Sequence, residues 1–211
     1  MDALISANPP FCFLDIETTG HDSLKRVGDV LVPWHEIIEV GAVFTDPQNL
    51  DVCGEFETKI QPEHPERCLP DIVNDYPNRS AVGEWGSAVP LNVAVDKLFS
   101  YCKQFKSPMF LIGQNFSFDW SFLNTGLTWC GIEESDWKRY FHYSRLDTRS
   151  MAVQELFDPS RPYDPNDYSI RNERLAKRLS ITQEPYPHKA LNGARQSYLI
   201  FKKLREIRKL G

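Results

Sequence analysis

The sequence predicts an α/β domain: a mixed sheet with helices on both faces. Three strand-like runs, at residues 11–20, 36–44 and 52–60, come first and are joined by links short enough for an antiparallel meander. From residue 91 onward, helical and strand-like patterns alternate, which places helices against a sheet. The chain of 211 residues is long enough to bury a core as one domain, residues 1–211, and 41% hydrophobic with 25% charged residues is a soluble globular composition.

Residues 1–10 are a lead-in, and Pro9-Pro10 stops any helix before the first strand. That strand is the apolar part of FCFLDIETTG, with Phe11, Cys12, Phe13, Leu14 and Ile16 buried. The stretch HDSLKRVGDVLVPWH is polar, with Gly28 and Pro33, and reads as a surface loop whose Lys25 and Arg26 either touch phosphate or form a solvated face. EIIEVGAVF gives the second strand, and residues 52–60 alternate as a third. Residues 61–90, rich in proline, glycine and acids, show no steady period and read as a long loop insertion with room for a helical turn; long loops of this kind commonly carry function.

Residues 91–105 form an amphipathic helix with Val95, Leu98, Phe99, Cys102 and Phe105 on its inner side. A short buried strand at 109–112 leads into GQNFSFDWSFL, which turns into a helix around Asp119. A last strand at 141–147 makes five in all, followed by a helix at 148–157 and a loop at 158–167 holding three prolines. Two helices close the chain, one at 169–179 with Ile170, Leu175 and Leu179 inside, and one at about 189–208 with Ala190, Ala194, Tyr198, Phe201 and Leu204 inside. There is no internal repeat and no low-complexity segment.

A formal net charge of −5 argues against a protein that coats duplex nucleic acid, but leaves room for a site where metal ions supply the positive charge. Five scattered cysteines, odd in number and without CxxC spacing, argue against a zinc site or a disulfide framework and fit a reducing intracellular compartment, cytoplasmic or nuclear. The first residues lack a basic start and a long apolar stretch, so no secretory signal is expected, and no window suits a membrane span.

The chemistry concentrates in three places. Asp15 and Glu17 lie two apart on a strand, so their side chains share a face, and two like charges side by side are relieved by a shared proton or a bound cation. A strand can also simply end in polar residues at a sheet rim. Asp119 sits among Phe116, Phe118, Trp120 and Phe122, where a carboxylate is costly unless it binds something; a helix-start acid beside core aromatics is the plainer alternative. His188 precedes a helix in YPHKALNGA, where it is either a polar cap or, if it reaches the carboxylates, a general base.

Together these motifs resemble the DEDDh group of DnaQ-like exonucleases on the ribonuclease H-like fold, over nearly the whole chain. FLDIETTG resembles the first motif, IIEVGAV the strand after it, IQPE the end of the third strand, GQNFSFDWSFL the second motif, RLDT a following segment and PHKALNGA the last motif. The resemblance implies two divalent ions, Mg²⁺ or Mn²⁺, with Asp15 bridging both, Glu17 holding the first and Asp119 orienting the second through water. His188 is then the base that takes a proton from the attacking water, and the product is a nucleoside 5′-monophosphate cut from the 3′ end. Thr18, Gly20, Asn115 and Phe118 are the candidates for holding the terminal nucleotide.

One position departs from the family pattern. An aspartate five residues after the histidine is a direct ligand of the first ion in the family, and this chain has Gly193 there. Two expectations follow: a metal-dependent 3′–5′ exonuclease of single-stranded DNA or RNA ends that is impaired by Gly193, or a protein that binds single-stranded 3′ ends without cutting. Asp147 is expected to support the site and not to fill the gap. The resemblance allows a homodimer, and nothing in the sequence advertises a polymerase partner or a choice between RNA and DNA.

Overall fold

The structure, a computed structural model, describes residues 8–156, 160 and 172–210. Most of the lead-in, nearly all of the 158–167 loop and the start of the 169–179 helix, including Ile170, lie outside the described residues.

The central strands are β1 (Phe11–Thr18), β4 (Ile37–Thr45), β5 (Val52–Lys59), β6 (Met109–Gly113) and β7 (Phe141–Asp147). They form a five-stranded mixed sheet in the order β5–β4–β1–β6–β7, antiparallel from β1 through β4 to β5 and parallel from β1 through β6 to β7. This is the expected ribonuclease H-like sheet, with the first strand at its centre. The period-2 pattern of β1 sends Cys12, Leu14 and Ile16 to one face, where they pack with α2 (Leu91–Cys102) and α3 (Phe116–Trp129). The other face carries Phe13 under α7 (Ala190–Leu210), with the Phe13 ring edge-on to Tyr198 at 5.5 Å and to Phe201 at 5.4 Å. Asp15 and Glu17 continue the Phe13 row and therefore lie beneath the start of α7.

The surface-loop expectation for residues 21–35 is corrected. Leu24–Val27 (β2) and Val30–Pro33 (β3) pair as a separate antiparallel hairpin. Gly28 at φ +61° opens its two-residue turn, and its apolar Leu24, Val27, Val30 and Leu31 stay exposed. The polar look of the stretch hid a strand pair that has no buried face to impose alternation. Lys25 lies over the Trp34 ring, 3.8 Å from its centroid. The helix expected at 91–105 ends at Cys102, and Phe105 instead stacks on Phe44 at 4.6 Å from the following turn. Residues 61–90 contain α1 (Tyr76–Ala81) and a short 3₁₀ turn at Pro65–Arg67, and Val89 bridges back to Ile60. Two short helices not expected as such are α1 and α4 (Glu134–Lys138), while α5 (Thr148–Leu156) and α6 (Asn172–Leu179) follow the predicted pattern.

A glycine sets the height of α7 over the sheet. Gly41 pairs with Asp15 across the β1–β4 ladder. A methyl there would run into the backbone of Ala190 and Leu191, lying 2.5 Å from the Ala190 carbonyl oxygen. Backbone atoms at the start of a helix packed against the strand cannot give way singly, so Gly41→Ala must lift α7. The expected cost is about 1–3 kcal/mol of unfolding free energy, as for other overpacked interiors. Urea unfolding of the variant beside the parent measures it, and equal midpoints would show that α7 does not rest on Gly41.

Candidate active site

The three chemical stretches of the sequence converge at the end of β1. Asp119, in the first turn of α3, accepts a hydrogen bond from the Ile16 amide at 3.1 Å, which holds it beside Asp15. Glu17 is 7% exposed and Asp119 3% exposed. The Glu17 carboxylate accepts from Asn74 Nδ2 at 3.0 Å, and the same amide nitrogen donates to the Thr18 carbonyl at 2.8 Å. His188 arrives just ahead of α7, its amide donating to the Val73 carbonyl at 3.1 Å and its carbonyl accepting from Arg79 Nη1 at 3.1 Å.

The segment at residues 61–90 thus grips both ends of the site. Arg79, 4% exposed, also donates to Glu39 Oε1 at 2.5 Å, and Glu39 Oε2 accepts from the Ala190 amide at 3.3 Å. Glu39 is the register partner of Glu17, so one buried ion pair ties the sheet, this segment and the first residue of α7 together.

Sequence reasoning missed Glu184, which belongs to no motif of its own in ITQEPYPHK. Its side chain is 4% exposed, and its Oε1 accepts from the Lys189 amide at 3.2 Å. Donor atoms of Glu17, Glu184 and His188 all lie within 4.8 Å of one another. An acid four residues ahead of a helix-start histidine was the available signal, and only the turn that folds it back makes it meaningful.

The remaining predicted residues separate. The Thr18 hydroxyl donates to the Gly20 carbonyl at 2.6 Å and is buried, and a side chain at Gly20 would strike the His35 ring, so both serve the turn behind the acids. Asn115 is exposed at φ +55°, and Phe118 is half-buried, 5.0 Å from Phe122 between ring centroids. Asp147 accepts from the Asn115 amide at 3.0 Å and the Arg149 amide at 2.8 Å, which fixes the turn before α3 and caps α5. At Gly193, an added Cβ would lie 2.5 Å from Asp15 Cγ, so the Asp15 carboxylate occupies the space in front of that glycine.

Electrostatics agree with the crowding. Burial first, then the charges of Asp119, Glu17 and Glu184, hold the Asp15 carboxyl well above the usual range. Burial pushes Glu17 up to about 8 against the opposing Asn74 hydrogen bond, and Asp119 up to about 8 against the Ile16 amide. It pushes Glu184 up to about 7. Oxygen donors gathered at such cost are the donor set that hard divalent cations prefer, so the residues present fit a hard divalent cation.

This chain is similar in structure to the nuclease domain of 3′hExo, a DEDDh family member, bound to rAMP: TM-score 0.66, 16% identity, covering 97% of this chain and 94% of that one. The fold is that of a DEDDh exonuclease. A structure of E. coli exonuclease I in complex with a dT13 oligonucleotide matches at TM-score 0.65 and 17% identity, covering 96% of this chain and 42% of that one. A zinc-bound form of the E. coli exonuclease I–single-stranded DNA complex matches at TM-score 0.65, 16% identity, with 96% and 41% covered. In sequence the chain is 24% identical over 204 residues to the PolC-type DNA polymerase III of Listeria welshimeri and 24% over 204 residues to that of Listeria monocytogenes, covering 95% of this chain in each case. It spans 12% of the length of these curated relatives. No family model matches the chain. Among the described residues, no helix is long and apolar enough to cross a membrane.

The raised carboxyls set a pH dependence. Unfolding returns each to its ordinary range, so between that range and about 7–8 the folded chain holds more protons, and its stability falls as pH rises. The metal-free protein is expected to melt lower at about pH 8.5 than at about pH 5.5. His35, pulled down by burial, works in the opposite direction, so the comparison is made with Asp119→Asn, which keeps the oxygen that accepts from Ile16. The variant should flatten the slope; an unchanged slope in scanning calorimetry would show that Asp119 carries no such strain.

Proposed function

We propose that the chain is a metal-dependent 3′–5′ exonuclease acting on single-stranded nucleic acid. The observation that carries this is the meeting of Asp15, Glu17 and Asp119 at the end of β1, locked by the Ile16–Asp119 hydrogen bond, with His188 held nearby by residues of the insertion. The neighbours bound to rAMP and to a dT13 oligonucleotide support a single-stranded end as substrate.

Two divalent cations held by Asp15, Glu17 and Asp119 would supply Lewis acidity toward a phosphodiester and its attacking water. The protein's own groups do the rest. Buried carboxylates keep their donor atoms in place because Asn74 holds Glu17 and the Ile16 amide holds Asp119. His188 is 30% exposed on its side chain, enough to meet a water at the mouth of the site and to pass its proton to solvent. The strand end approaches past Asn115 and Phe118, and Phe118 offers a ring on which a base stacks, worth about 1–3 kcal/mol. Thr18 and Gly20 contribute by shaping the turn behind the pocket.

A second reading, binding of single-stranded 3′ ends without cleavage, rests on Gly193 in place of the family's acid. One assay separates the two. A 5′-labelled oligonucleotide in Mg²⁺ or Mn²⁺ should shorten stepwise from its 3′ end with release of nucleoside 5′-monophosphate, and Asp15→Asn should stop it. His188→Ala should slow cleavage about 10²–10⁴-fold with little change in strand affinity, because a general base acts on the transition state. Tight binding with no shortening in either metal would establish the binding reading instead.

A further inference from the structure

We propose that Glu184 supplies the fourth carboxylate of the metal site, from the turn before α7, in the role that the family motif gives to the residue at position 193. The proposal rests on the exonuclease reading and names how this chain completes that site.

Gly193 lies in the first turn of α7, its amide bonded to the Lys189 carbonyl at 3.0 Å. The space its side chain would enter is filled by the Asp15 carboxyl group. A carboxylate grown from position 193 would have to turn the Asp15 carboxyl group aside. Gly193 itself carries no side-chain donor, so a fourth carboxylate comes from another residue.

Glu184, nine residues upstream, carries one. Its side chain is more than nine-tenths buried and turned toward Glu17, with donor atoms of Glu17, Glu184 and His188 within 4.8 Å of one another. The Lys189 amide fixes one oxygen, Oε1, while Oε2 lies 3.5 Å from His188 Nδ1. The charges felt around it are of its own sign: Asp15, Glu17 and Glu39 all repel it. The nearby Arg79 guanidinium is committed to Glu39 and Glu84, and Lys189 Nζ lies 3.8 Å from Glu84. A carboxylate buried among carboxylates is costly without a cation to share. The bland alternative is that Glu184 only steers the His188 ring. At 3.5 Å their contact is a weak hydrogen bond, and steering of the ring does not account for the approach of Glu184 to Glu17.

The test is Mn²⁺ binding to the full chain by titration calorimetry, without substrate. Glu184→Gln keeps the shape and an oxygen for the Lys189 amide, and it should weaken Mn²⁺ binding at least about tenfold, as the loss of even an outer partner does. Glu184→Asp keeps the charge but retracts it, and should also weaken binding, which covers the case in which the glutamine variant does not fold. Glu134→Gln, on an exposed helix distant in sequence, should leave binding unchanged. Full affinity in both Glu184 variants, with binding lost in Asp15→Asn, would overturn the proposal and leave the metal-site reading standing. Full affinity in Asp15→Asn as well, or no Mn²⁺ binding by the parent chain, would overturn the reading beneath it.

Discussion

Repulsion among buried carboxylates is the constraint on which the structure turns. Asp15 feels Asp119, Glu17, Glu184 and Glu39, all acids, in surroundings that have removed most of their water. Of these, Glu39 is compensated directly, by the Arg79 guanidinium. A fold gains nothing in stability from gathering the others. It tolerates them because the sheet, the helices and the segment at 61–90 each hold one in place, and because hard cations are the natural complement of such a donor set.

The holding is done by backbone as much as by side chains. The Ile16 amide reaches across to α3 for Asp119, the Lys189 amide reaches back for Glu184, and the Ala190 amide reaches down to Glu39. Two glycines let this happen. Gly41 allows the start of α7 to settle against β4, and Gly193 leaves room for Asp15 beneath it. The segment at 61–90 is part of the same arrangement: Asn74 holds Glu17, and Arg79 holds both Glu39 and the His188 carbonyl. Loss of Arg79 would leave Glu39 as an uncompensated buried charge next to the acids, and would release the histidine turn at the same moment.

Much of this was legible in the sequence. The central strands β1 and β4 announced themselves because burial on both faces makes them continuous apolar runs, FCFLDI and EIIEVGAVF. Asp15 and Glu17 were readable because a strand's period of two puts them together, and Asp119 because an acid among four aromatics is out of place. The hairpin at 24–33 was not, because its residues are exposed and their pairing depends only on each other. Glu184, Asn74 and Arg79 were not, because their meaning comes from contacts across long stretches of chain: Asn74 with Glu17, Arg79 with Glu39 and His188, Glu184 with a turn that folds it under α7. Gly193 looked like a gap in a motif, and in space it is filled by Asp15.

Divalent cations would be held by these acids at the end of β1. Anomalous diffraction from crystals grown with Mn²⁺ tests this directly, since the metal is located without reference to activity. Mn²⁺ density is expected in contact with Asp15 and Glu17, with Asp119 on one side and Glu184 on the other. Manganese bound elsewhere, with these carboxylates left protonated and paired to one another, would contradict it.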